Sequence, residues 1–100
     1  MTDADNRSRA ISLYLLGGGK PYPEVDRAAV RRAFAPEEAN RLIAYAAAVV
    51  AEMDTFEVDW SAHDLQSATR RYEEYVRTRH PELDASAVTA LGRAYSFWWK

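Results

Sequence analysis

Two histidines, six serines, a triple glycine followed by lysine, and a run of acids threaded with aromatics are the residues here that chemistry would draw on. His63 stands among Asp54, Glu57, Asp59 and Asp64, types that can ligate a metal. The spacing matches no Glu-x-x-His or His-Glu-x-x-His helix and no calcium loop with its glycine, so the run reads as a solvated connection and no metal is expected. His80 precedes Pro81 at the end of a helical pattern, where a positive imidazole complements the helix dipole. Gly17-Gly18-Gly19-Lys20 lacks phosphate-loop spacing, and Pro21 follows the lysine where Ser or Thr is required. It reads as a turn. No serine lies in Gly-x-Ser-x-Gly, and Ser61 is better used as a helix cap. Neither catalysis nor a cofactor is expected.

Glu52, Asp54, Glu57, Asp59 and Asp64 fall in thirteen residues with no lysine or arginine, interleaved with Phe56, Val58 and Trp60. Aromatics anchor protein interfaces, and carboxylates steer encounter with a basic face. The candidate partner-binding residues are therefore Asp54, Phe56, Glu57, Asp59, Trp60 and Asp64, and the expected partner is a basic protein. The C-terminal Phe97-Trp98-Trp99 is an alternative contact, because adjacent residues lie 100° apart and one helical face cannot hide all three. It would serve docking to a larger complex or a homodimer. Arg31, Arg32, Arg70, Arg71 and Arg77 offer a third surface, for nucleic acid, but Glu73 and Glu74 interrupt it.

The composition sets bounds on these readings. One hundred residues suit one domain, and a chain of this length can bury a real core. A net charge of −2 argues against a strong nucleic-acid binder. The absence of cysteine excludes a disulfide scaffold, a thiolate zinc site and a thiol nucleophile. The longest apolar stretch, 42–51, is about half of a membrane span, and no signal-peptide pattern opens the chain, so a cytoplasmic protein is expected. Alanine is abundant and Lys20 and Lys100 are the only lysines among 13 basic residues, a bias that suggests a bacterial source.

The elements that must hold these residues read as helical throughout. Residues 1–6 read as a disordered tail and 7–100 as one helical domain. The first helix covers 7–16 and ends at the glycines. A second covers 24–34 with Pro23 at its first position and Val25, Ala29, Val30 and Ala33 inward. The third, 36–53, is apolar on most sides and is expected at the centre. The fourth starts at Ser61, with Trp60 and Leu65 at hydrophobic-staple spacing, and runs to His80. Its inward set is Leu65, Ala68, Tyr72, Tyr75, Val76 and Arg79. The fifth is capped by Asp84 and turns Val88, Leu91, Tyr95 and Trp98 inward. The fold class is all-α, a compact bundle of four to five helices.

Trp60-Ser61-Ala62 resembles the mid-chain Trp-x-Gly turn of small secreted helical-hairpin proteins, but Ala62 replaces the glycine and Pro21, Pro23 and Pro81 interrupt the long helices of that family. In architecture and charge alone, with no residue motif, the chain resembles bacterial immunity proteins that neutralise nuclease toxins. That likeness implies a non-catalytic, immunity or antitoxin-type protein whose acidic loop occludes a basic partner.

Overall fold

Thr2 opens the first helix. Its hydroxyl accepts from the Asp5 amide at 3.1 Å, and its own amide donates to the Asp5 carboxylate at 3.3 Å. This reciprocal capping box starts α1 at Asp3, inside the stretch expected to be a disordered tail. The computed structural model describes residues 2–17 and 19–98, so Trp99 of the sequence-derived site lies outside them. Among the described residues there are five helices and no strand: α1 (Asp3–Leu16), α2 (Arg27–Ala33), α3 (Pro36–Glu52), α4 (Leu65–Arg79) and α5 (Ala85–Trp98), with a 3₁₀ turn at Met53–Thr55. The chain is an all-α bundle.

Two further helix starts differ from expectation, each for a hydrogen-bonding reason. Helix α2 begins at Arg27, because the amides of Glu24 and Asp26 donate to the carbonyls of Leu15 and Tyr14 at 3.0 and 2.8 Å. Those carbonyls belong to the last turn of α1, which has no internal partner for them. The 24–26 segment is thereby held along α1, and Asp26 caps α2 by accepting from the Ala29 amide at 3.0 Å. Val25 consequently turns outward. Helix α4 is capped by Asp64, which accepts from the Ser67 amide at 2.8 Å. Ser61 is occupied elsewhere, since its hydroxyl and amide both donate to Asp59 Oδ1, at 2.6 and 3.0 Å. The expected staple is therefore not formed, and Trp60 is 48% exposed. Asp84 caps α5 as expected, accepting from the Ala87 amide at 2.9 Å.

The packing also shifts the centre. Helix α1 packs on α2, α3 and α5, α5 also packs on α4, and α3 also packs on α2. Thus α1, rather than α3, lies between neighbours on several sides. The reason is residue size. Ile11, Tyr14 and Leu15 fill the space around α1, whereas Ala44, Ala48 and Ala51 of α3 face solvent, where a methyl group exposes little apolar area. Gly17 allows the close approach of α2, because a Cβ there would lie 2.6 Å from that of Ala29.

One contiguous core runs through all five helices, from Ile11 and Val30 through Leu42 and Val49 to Tyr72, Leu91 and Tyr95. The extents are 45 × 27 × 20 Å and the radius of gyration is 13.4 Å, near the 13 Å or so of a compact chain this long. No helix among the described residues is long and apolar enough to cross a membrane.

Candidate functional site

The connection between α3 and α4 is pinned at several points. Met53 is buried. Phe56 inserts among three tyrosines, its ring centroid 5.1 Å from Tyr75, 5.5 Å from Tyr72 and 6.0 Å from Tyr95. Tyr72 and Tyr95 stack at 4.7 Å, so the loop rests on an aromatic cluster shared by α4 and α5. Phe56 is therefore a half-buried packing residue before it is a contact residue. Asp59 closes the next turn, with the amides of Ala62 and His63 donating to its carbonyl at 3.0 and 3.1 Å. The Ser61 hydroxyl and amide hold the Asp59 carboxyl below the usual range. The Ser67 amide, then its hydroxyl, does the same for Asp64. His63 Nδ1 lies 3.2 Å from the Ser67 hydroxyl.

These contacts divide the acids. Asp59 and Asp64 spend their carboxylates on the backbone of their own turn and helix. Glu52 is drawn away altogether. Asp54 and Glu57 are exposed, and neither forms an ion pair among the described residues. They line one cleft with Phe56, Val58, Trp60 and Tyr95, of about 300 Å³. Asp54, Phe56, Glu57 and Trp60 of the sequence-derived set thus come together, and Asp59 and Asp64 stand outside as supports. Among the described residues no three His, Asp or Glu side chains converge as a metal site.

The alternative C-terminal site is partly described. Trp98, expected inward, is 38% exposed, because the core on that face ends with Ala94 and Tyr95. Phe97 stacks on Tyr22, with centroids 5.8 Å apart and planes 15° apart. Lys20, paired with Glu24, lies 5.7 Å from the Tyr22 ring. Of the arginines proposed as a third surface, Arg31 and Arg32 are exposed on α2, and Arg70, Arg71 and Arg77 on α4.

One cluster was not anticipated. Glu52 Oε2 accepts from Arg79 Nε at 3.0 Å and lies 2.8 Å from His80 Nε2. His80 Nδ1 faces Glu82 at 3.4 Å, and the Tyr45 hydroxyl donates to Glu82. Arg79, expected inward, turns out to reach Glu52. Burial pushes the Tyr45 hydroxyl above its ordinary range, and the bond to Glu82 adds to this. Burial works against ionisation of Glu82 as well, but the Tyr45 hydroxyl, a backbone amide and His80 outweigh it and hold that carboxyl low. Tyr45 and Glu52 are seven residues apart on α3 and so share a face, the one signal in the sequence that pointed to the cluster. It ties the last turn of α3 to the end of α4, directly before the acidic loop. Comparison with protein-family models, with curated proteins and with solved structures yields no match.

Proposed function

We propose that this chain is a non-catalytic protein-binding module that docks onto a basic partner through the 53–64 loop. The observation that carries the reading is the juxtaposition of exposed Trp60 with Asp54 and Glu57 at one cleft. A large aromatic half in solvent forfeits hydrophobic stabilisation that docking would recover. Carboxylates beside it would accelerate encounter with a basic face and reject an acidic one. The loop is braced by Phe56, Asp59 and the Glu52–His80 contact, so little ordering entropy opposes docking. In this reading the chain acts in the cytoplasm as an immunity or antitoxin-type protein, occluding a basic protein such as a nuclease. The support for that class is architecture and charge alone.

The test is capture of the partner from host lysate on the tagged chain, eluted in a salt gradient. A basic protein should elute as salt rises, and Asp54→Asn with Glu57→Gln should lose it while keeping the wild-type melting temperature. If the partner is a nuclease, adding the chain should block its cleavage of nucleic acid. Capture that ignores both substitutions and salt would refute the docking surface. One observation favours a second reading, an accessory subunit: Tyr22, Phe97 and Trp98 all stand partly in solvent at the C-terminal end of α5. Salt-insensitive capture lost on Phe97→Ser with Trp98→Ser would support it.

A further inference from the structure

We infer that the cleft between the 53–64 loop and α5 takes an arginine side chain, so that the partner's docking segment is arginine-bearing rather than merely basic. This rests on the docking reading above and specifies its chemistry. Four of the six residues lining the cleft, Phe56, Val58, Trp60 and Tyr95, are apolar or aromatic, and the other two are Asp54 and Glu57. A long side chain with an apolar stem and a cationic head matches both parts: the stem covers the apolar wall and the head meets the carboxylates.

The chemistry of the head group favours arginine over lysine. Guanidinium is planar, weakly hydrated and stacks on aromatic faces, while ammonium holds its water more tightly. The chain itself sets cations over rings, with Lys20 over Tyr22 at 5.7 Å as well as four arginines. Arg7 lies over Tyr45 at 4.9 Å, Arg9 over Phe34 at 5.4 Å, Arg79 over Tyr75 at 5.9 Å and Arg27 over Tyr14 at 6.0 Å. Indole is the strongest cation acceptor among the aromatic side chains. Yet no cation lies over the Trp60 ring among the described residues, and residues 52–64 contain no lysine or arginine. Among the described residues, the most suitable aromatic face thus has no cation over it and lies beside two carboxylates with no ion-pair partner.

Isothermal titration of the full chain with two extended Gly-Ser peptides separates the possibilities. One peptide carries arginines and the other lysines at the same positions. The arginine peptide should bind severalfold more tightly, because guanidinium stacks flat on the indole while ammonium keeps more of its water. Trp60→Leu should remove that preference and leave the weaker, salt-sensitive binding common to both peptides. Asp54→Asn with Glu57→Gln should weaken both peptides together. Circular dichroism melts confirm that the variants fold. Equal affinity for the two peptides overturns the arginine cleft while leaving a charge-driven docking surface in place. Binding of neither peptide at low salt overturns both.

Discussion

Two tyrosine hydroxyls show how much a single polar atom depends on its surroundings. Tyr45 donates to Glu82, a carboxylate that also faces His80. Tyr72 lies in the core at 1% exposure, and its hydroxyl has no hydrogen-bond partner among the described residues. Burial pushes both hydroxyls above their ordinary range, but only in Tyr45 does a hydrogen bond offset the desolvation. Removing a paired donor leaves its acceptor short, whereas removing an unpaired one relieves a cost. The same substitution should therefore have opposite signs at the two sites. Tyr45→Phe should destabilise by about 1 kcal/mol, since the pair is only half-buried. Tyr72→Phe should be neutral or stabilising by up to about 1 kcal/mol, because the ring and its stacking on Tyr95 remain. Urea melts of both variants decide it. A loss above about 1 kcal/mol for Tyr72→Phe would show a bonded hydroxyl.

At the level of elements, the sequence was legible where signals were local and misleading where they competed. Asp84 has no rival as the cap of α5, and Pro36 with Glu37 and Glu38 marks the start of α3 without ambiguity. Around α4, Ser61 and Asp64 both fit a cap, and what decides between them is the turn built on Asp59. Around α2, the helix is shortened by the unpaired carbonyls of α1, a tertiary demand that periodicity in 24–34 does not show. The same division runs through the candidate site. Trp60, Asp54 and Glu57 were legible as loop residues of the right type, whereas Glu52 looked identical to them until α4 brought Arg79 and His80 beside it. The cap assignment yields a direct test. Asp64→Ala should lower the melting temperature by several degrees, while Ser61→Ala changes α4 little. The carboxyl of Asp64 is held below its ordinary value of 3.8. Its contribution is therefore complete above that pH and fades as pH falls through the lower folded-state value. Asp64→Asn keeps a capping oxygen without a titrating group. It should match the wild type near neutrality and lose less stability on acidification. Equal melting temperatures for Asp64→Ala and the wild type would return the cap to Ser61.

The whole molecule depends on small residues as much as on large ones. Ala10, Ala39, Ala46, Ala68, Ala87 and Ala94 are fully buried, and they let α1, α3, α4 and α5 approach closely enough for few large side chains to fill the interior. A core so arranged has little slack. Tyr95 stacks on Tyr72 of α4 and shares one core cluster with Leu91, so the face that supports the acidic loop is continuous with the interior of the bundle. Leu91 is fully buried, with alanines on either side of it in the helix at Ala90 and Ala94. Truncating Leu91 would open a cavity in a closely packed core. Leu91→Ala should therefore cost on the order of 2–5 kcal/mol in urea. The slope of the unfolding transition should stay unchanged, since the surface exposed on unfolding is the same. Because one core joins all five helices, the loss should appear equally in far-ultraviolet circular dichroism and in tryptophan fluorescence. A cost below about 0.5 kcal/mol would show that Leu91 is not a core residue. Separate transitions for the two probes would show that the segments bearing the tryptophans, such as the loop that carries Trp60, unfold apart from the rest.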